Sequence, residues 1–170
     1  SACCRGMGTS IVLDPLDIFR LTTELDLTFE QLLERYVELN VVDGVILPNL
    51  KMTGKAEACA FLNAEGRCSI HPYRPGICRL FPLGRYYEDH HFQYFLQVHE
   101  CPREPKTKVK VKKWIDTPEL KKNEQFINAW HDFILEMQDR LRKLGDDKMS
   151  RESNLYLLQE FFVTPYEKDC

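Results

Sequence analysis

The sequence predicts an α+β fold in which small strands and loops come first and a helical C-terminal half follows. Two observations lead to this prediction. Before residue 100, short apolar runs alternate with turn signals such as Asp43-Gly44. After residue 117, apolar residues recur at the spacing of one helical face. Strands and long helices are therefore expected to segregate along the chain, as they do in α+β proteins.

Two early helices can be predicted from their start signals. An acid before a proline, at Asp14-Pro15, predicts a helix over residues 15–24. Thr28 and Gln31 match a capping box, and the apolar residues that follow predict a second helix from residue 29. Both helices are expected to bury one face.

The middle of the chain is expected to form hairpins and short strands. Asp43-Gly44 suits a tight turn and predicts a hairpin over residues 41–46. The other strand-like segments are 58–62, 67–70, 84–87 and 92–98. Val109 and Val111 alternate with lysines, which predicts a solvated edge strand protected by charge.

The longest predicted helix covers residues 118–144, and Gly145 is expected to end it. Its apolar residues share one face, and they are Phe126, Ile127, Trp130, Ile134, Met137, Leu141 and Leu144. A last helix is predicted over residues 151–162. We interpret the chain, residues 1–170, as a single domain, with a cysteine-bearing part (1–103) and a helical part (117–163).

Composition excludes several classes of function. The chain has 170 residues, 44% of them hydrophobic, which is enough for a core without covalent cross-links. A net charge of −3 argues against a general nucleic-acid binder. No apolar run approaches the roughly 20 residues that span a bilayer, and no export leader is visible. We therefore expect a cytoplasmic protein that binds neither membrane nor nucleic acid, with an unidentified protein as a possible partner.

The most informative feature is a pattern of cysteines. Six of the seven form it: Cys3, Cys4, Cys59, Cys68, Cys78 and Cys101. Thiolates are soft ligands that bind zinc and iron strongly, so the pattern predicts a metal site at these residues. Disulfides are the alternative, but they are typical of small secreted domains with little core. Cys170 lies outside the pattern and is interpreted as a free thiol.

The spacing bears on the metal and on individual ligands. Eight residues separate Cys59 from Cys68, and nine separate Cys68 from Cys78, whereas zinc fingers pair ligands two to four residues apart. We therefore favour an iron–sulfur cluster, with zinc as the alternative. Cys78 is expected near a helix start between two arginines, which would lower the pKa of its thiol. Because Cys3 and Cys4 are adjacent, one of them is expected to be structural.

The residues then resemble a known family. The blocks Cys-Cys-Arg-Gly, Cys-x-Phe-Leu, Cys-x-Ile and Arg-Pro-x-x-Cys-Arg-x-Phe-Pro are similar to those of the bacterial cysteine-cluster family called CxxCxxCC, described as zinc- or iron-chelating. The resemblance covers about residues 1–103 and implies that the six patterned cysteines are ligands. It also implies two further cysteines upstream of Ser1. Flagellin lysine methylases resemble the same cysteine block.

Three functions remain open from the sequence. The first is a metal-binding protein whose centre has a structural or redox role. The second is a metal-dependent enzyme that modifies a protein side chain, as the methylase resemblance implies. The third is an interaction module with a structural zinc. His71 is interpreted as a packed or hydrogen-bonded residue rather than a ligand, and the basic run of residues 106–113 as solvated lysines.

Overall fold

The computed structural model of the protein describes residues 2–101 and 107–166, and it confirms the α+β prediction. Strands pair only with their neighbours in sequence, as three antiparallel two-stranded sheets among the described residues. The strands are β1 (Val37–Val42), β2 (Val45–Leu50), β3 (Met52–Thr53), β4 (Ala58–Cys59), β5 (Leu83–Glu88) and β6 (His91–Leu96). The helices are α1 (Pro15–Leu25), α2 (Phe29–Arg35), α3 (Gly76–Leu80), α4 (Val111–Ile115), α5 (Leu120–Leu144) and α6 (Asp147–Leu158).

Both early helices begin at the predicted capping boxes. In α1, the Asp17 N–H donates to Asp14 Oδ1 at 2.8 Å, and the Asp14 N–H donates back to Asp17 Oδ2 at 3.4 Å. In α2, Thr28 and Gln31 exchange the equivalent bonds. Asp26, in the left-handed conformation with φ of 54°, ends α1. Local sequence therefore determines where these helices start.

The predicted hairpin at Asp43-Gly44 is confirmed and is longer than expected. β1 and β2 pair in register from Val42–Val45 at the turn to Val37–Leu50 at the open end. Both turn residues have positive φ, 49° and 87°, as a tight two-residue turn requires. The segment before α1 runs along β2, because the Leu13 N–H donates to the carbonyl of Pro48.

The strands expected at 58–62 and 67–70 are mostly absent. Only Ala58 and Cys59 are in a strand, β4, which pairs with β3. Leu62 and Cys68 form an isolated bridge instead of a ladder. The chain turns too soon for a longer pairing, because the Leu62 N–H donates back to the carbonyl of Cys59. This part of the fold consists of turns joined by single backbone bonds.

The strands expected at 84–87 and 92–98 pair as a second hairpin, β5 and β6, which contacts α5. Its turn, Asp89-His90, again has two positive φ angles. His90 Nδ1 lies 3.0 Å from Asp132, and the Tyr87 ring stacks on His131 with the centroids 3.6 Å apart. His90 is exposed, and it also contacts the helical half of the protein.

The edge strand expected at Val109 and Val111 is wrong, because Val111 begins α4. This short helix packs on α3 and buries Ile115. The Trp114 indole N–H donates to the carbonyls of Leu80 and Phe81, which fixes the two helices together. Tertiary contacts thus override a local strand pattern. Lys106 of the basic run lies outside the described residues.

The long helix was predicted correctly except for its start. Glu119 is in the left-handed conformation, so α5 begins at Leu120 rather than at residue 118, and it ends at Gly145 as expected. Ile127 and Ile134 of its stripe are buried, whereas Leu144 is exposed. The last helix begins four residues earlier than predicted, at Asp147, and continues past Leu158 as a π-helical turn, Gln159–Val163.

The hydrophobic core contains residues of both parts of the chain. Phe29, Leu32 and Val45 from the first part belong to the same buried cluster as Leu157 and Phe162 from the second. None of the described helices combines the length and the apolar character needed to cross a membrane.

Candidate metal centre

Six of the seven cysteines are in the described residues, and all six are free thiols. Cys4 and Cys59 are buried in the hydrophobic core, and Cys3, Cys68 and Cys78 are half-buried against it. Cys101 follows β6, half-buried and outside this group. Because the charges of three of these thiols, Cys3, Cys59 and Cys68, act on the other two, the structure brings five of the six candidate ligands to one region. Cys170 lies outside the described residues.

Backbone pairing places Cys3 and Cys4 beside Cys59. The first two lie in a 3₁₀ turn, Ala2–Cys4, and the next residue, Arg5, forms a bridge with Ala58 of β4. The Gly6 N–H then donates to the carbonyl of Glu57 at 3.0 Å. The N-terminal segment is thus attached directly alongside β4.

Cys68 reaches the same region through a compact turn. The isolated bridge between Leu62 and Cys68 is supported by the Ser69 N–H, which donates to the carbonyl of Phe61 at 2.9 Å. Within the turn, Asn63 Oδ1 accepts from the Arg67 N–H. The Gly66 N–H also donates to the carbonyl of Asn63, so Asn63 holds both ends of the turn. The eight residues between Cys59 and Cys68 therefore fold back on themselves.

Cys78 is supplied by α3, which the Arg-Pro-Gly block begins. Pro75 occupies the N-cap position and provides no side-chain cap. The first amide of the helix, Gly76, donates instead to Asp17 Oδ1 at 2.8 Å. A residue of α1 thus holds the start of the helix that carries Cys78. The sequence does not reveal this role of Asp17, because no local signal indicates a hydrogen bond across 59 positions.

The two adjacent thiols are close together. Cys3 Sγ and Cys4 Sγ lie 3.7 Å apart and share a hydrogen bond. Two thiolates bound at about 2.3 Å to one tetrahedral ion would be about 3.8 Å apart. Adjacency in sequence therefore does not prevent both sulfur atoms from having the separation that a shared ion requires.

The pKa values of this pair move in opposite directions. The hydrogen bond from Cys4 lowers the pKa of Cys3, and the same bond, followed by burial, raises the pKa of Cys4. The two sulfur atoms therefore share one proton, and one thiol of the pair ionises before the other. A nearby arginine, Arg74, also lowers the pKa of Cys3.

The other thiols are held in their neutral form. Burial raises the pKa of Cys59 and of Cys68. Burial, followed by the charge of Asp17 and then by those of the other thiols, raises the pKa of Cys78. The expectation of a lowered pKa at Cys78 was therefore wrong. The shift also shows that these sulfur atoms are close enough to feel one another's charge.

The two arginines beside Cys78 make hydrogen bonds elsewhere. Arg79 donates to the carbonyls of Pro72 and Asp116, and Arg74 donates to the carbonyl of His71. Neither arginine is among the main influences on the pKa of Cys78, which burial dominates.

Histidines take no part in this cluster. His71 is exposed, with its Nδ1 3.2 Å from Arg74, as the interpretation of a hydrogen-bonded residue expected. His99 is exposed, and His131 stacks on Tyr87 at the second hairpin. Within residues 2–101 and 107–166, no three or more side chains of His, Cys, Asp or Glu are arranged to hold a metal. The choice of ligands among the clustered thiols stays a prediction.

Comparison with known proteins agrees with the cysteine pattern. No curated protein and no solved structure matches the chain at a significant level. A family model described as "CxxCxxCC: Putative zinc- or iron-chelating domain" matches residues 1–102. The match includes the six patterned cysteines and more than half of the chain. On this basis the chain belongs to the CxxCxxCC family.

Proposed function

We propose that the protein binds a zinc or iron centre through thiolates of the five clustered cysteines, and that this centre stabilises the N-terminal half. The observation that carries the proposal is that five free thiols from four separate segments lie close enough together for their charges to act on one another. Soft thiolates suit zinc and iron, so the donor set fits the metals that the family description names.

The distance between the sulfur atoms of Cys3 and Cys4 can be compared with the geometry of each kind of metal centre. In a [4Fe–4S] cluster each iron takes one cysteine, whereas a zinc ion or one iron of a [2Fe–2S] cluster takes two or more. The 3.7 Å between these sulfur atoms matches two ligands of one ion. A zinc ion or one iron of a [2Fe–2S] cluster could thus accept both thiols without moving them apart, although their hydrogen bond alone accounts for this distance. Cys101 stays a candidate from the sequence that lacks this structural support.

A structural role is supported by the weakness of the elements that carry the ligands. β3 and β4 have two residues each, α3 has five, and Cys3 and Cys4 lie in a three-residue turn. Such short elements are marginal on their own. Ligands drawn from separate segments couple metal binding to folding, so the centre would supply stability that these segments lack.

The enzyme alternative has less support. The groove beside Cys59 and Cys68, lined by Tyr36, Phe61 and Tyr73, has a volume of about 240 Å³. Small-molecule sites usually occupy about 300–1,000 Å³.

We place the protein in a reducing compartment such as the cytoplasm, because the six described cysteines are unpaired and cytosolic proteins keep their thiols reduced.

The test is metal analysis of anaerobically purified protein together with Cys68→Ser and Cys78→Ser. We expect about one zinc per chain in a colourless protein, or iron with visible absorption that bleaches on reduction. Each substitution should lower metal content and thermal stability together, because it removes a ligand that also joins two segments.

Cys170→Ser is the matched control, since Cys170 stands outside the cysteine pattern. It should leave metal content unchanged. Unchanged metal content in both Cys68→Ser and Cys78→Ser would overturn the ligand assignment, and wild-type protein without zinc or iron would overturn the proposal as a whole.

A further inference from the structure

Asp17 is a buried carboxylate that serves two helices at once. Its side chain is 3% exposed. Oδ2 accepts from the backbone of Asp14 within its own helix, and Oδ1 accepts from Gly76 at the start of α3. One side chain therefore connects the first turn of α1 to the first turn of the helix that carries Cys78.

α3 depends on this bond more than a longer helix would. It has five residues and no cap from its own sequence, because Pro75 stands at the N-cap. A helix of this length is unstable in isolation, since few backbone bonds compensate for its ordering. Its first amide is satisfied by Asp17 alone among the bonds of the described residues. The position of α3 is thus fixed from outside.

The surroundings keep Asp17 in place. Charges of Arg20 and Arg85 act on its carboxylate, and Asp14 lies beside it in the capping box. A Cβ added at Gly76 would lie 3.7 Å from Asp17 Oδ1 and 3.9 Å from the Arg85 guanidinium. The carboxylate, the arginine and the start of α3 are therefore in close contact, and Asp17 has little freedom to move.

We infer that Asp17 is a positioning residue for the metal centre: by capping α3 it directs Cys78 toward Cys3, Cys59 and Cys68. Cys78 lies two positions after the capped amide, in the same helical turn. Its sulfur is near enough to those thiols for their charges to act on it. The part of this inference that concerns metal rests on the proposed function. The anchoring of α3 does not.

Cobalt(II) titration of the full chain tests the inference, because thiolate-to-cobalt absorption reports directly on sulfur ligation. Asp17→Ala should weaken cobalt binding about tenfold or more, as removal of an outer-shell partner usually does. Asp17→Asn keeps an oxygen that accepts from Gly76, so it should remain within about threefold of wild type.

Asp14→Ala is the matched control. It removes the partner of Asp17 in the same capping box but leaves the bond to Gly76. Its cobalt affinity should stay near that of wild type although α1 loses its cap. Equal losses of affinity in Asp17→Ala and Asp14→Ala would overturn the inference, because affinity would then follow stability alone.

A second measurement separates this inference from the proposed function. In metal-free protein, the amides of Gly76 and Arg79 should exchange with solvent faster in Asp17→Ala than in Asp14→Ala, because Gly76 donates to Asp17 and Arg79 donates to the carbonyl of Pro75 at the helix start. If the wild type binds no cobalt but the two variants differ in exchange, the metal centre is refuted and the anchoring of α3 by Asp17 stands. Equal exchange in the two variants would overturn the anchoring itself.

A further pair of variants applies if Asp17→Ala does not fold. Gly76→Pro removes the donating N–H and places the ring Cδ in the direction of Asp17, so it breaks the bond, whereas Gly76→Ala keeps it. The space around Gly76 admits a Cβ at ordinary contact distance. Only the proline variant should lose cobalt affinity. Equal affinity in the two variants would refute the role of the Gly76–Asp17 bond.

Discussion

Asp14 and Asp17 place two carboxylates in one corner between α1, α3 and β5. Burial, followed by the charge of Asp17, raises the pKa of Asp14 to about 7. Burial also raises the pKa of Asp17, although Gly76, Arg20 and Arg85 favour its ionised form. Two acids this close are not readily ionised together, because each charge opposes the other. The pair therefore makes stability depend on pH.

Replacing Asp14 by asparagine should reveal this dependence. A carboxyl whose pKa is raised on folding contributes stability that is complete below about pH 4 and is lost as pH rises through about 7. An asparagine at this position would cap α1 equally well and cannot ionise. The wild type should thus lose on the order of 1 kcal/mol or more relative to Asp14→Asn between pH 4 and pH 8.

Urea unfolding of both proteins at pH 4, 6 and 8 measures this difference. The groups that face Asp14 are Asp17, Arg20, Arg85 and Tyr87, and they are common to both proteins. The comparison therefore reports on the carboxylate pair. A stability difference that does not change with pH would contradict the raised pKa.

At the scale of elements, capping residues determine where the longer helices begin and end. α6 illustrates this. Asp146 caps it by accepting from the N–H groups of Lys148 and Met149, which places the start four residues before the predicted one. The prediction passed over this cap because two acids follow Gly145 and neither begins an apolar run. Caps determine helix ends more accurately than apolar spacing does.

Substitution of the cap should be measurable. Asp146→Ala leaves two amides at the start of α6 without a partner and should lower the free energy of unfolding by about 1 kcal/mol. Asp147→Ala, one residue later, removes an acid that is not the cap and should lower it by less. Chemical denaturation of both variants measures the difference. Equal effects would show that general charge, rather than capping, holds the start of α6.

At the scale of the whole molecule, α6 holds the first hairpin in place. Asn154 Nδ2 donates to the carbonyl of Gly44, and its Oδ1 accepts from the Ile46 N–H at 2.7 Å. From α5, Gln138 donates to the carbonyl of Val42. Two polar side chains of the helical part thus form hydrogen bonds with backbone groups at the turn of the first hairpin. These hydrogen bonds attach α5 and α6 to the turn of the first hairpin.

Removal of this clamp, which consists of the hydrogen bonds from Asn154 to Gly44 and Ile46, should destabilise the protein. Asn154→Ala removes a buried side chain together with its hydrogen bonds to Gly44 and Ile46, which should lower the free energy of unfolding by about 1–2 kcal/mol. Leu155→Ala on the same helix is the control, because Leu155 is 66% exposed and should change stability little. Thermal and urea unfolding measure both. A loss in Asn154→Ala no larger than that in Leu155→Ala would contradict the clamp.

The sequence by itself determined the features that depend on neighbouring residues. The capping boxes of α1 and α2, the two hairpin turns, the end of α5 at Gly145 and the cysteine pattern that carries family membership are all local signals. A few adjacent dihedral angles and hydrogen bonds are sufficient to specify each of them.

The tertiary structure alone decided which segments meet. It made Val111–Ile115 a helix against α3, left Cys101 outside the cluster of five thiols, and paired Asp17 with Gly76. Residues 59 positions apart in one case, and 108 in the contact of Asn154 with Ile46, come together only through packing of the whole core. Burial of that core, which no local pattern encodes, also set the protonation of the thiols.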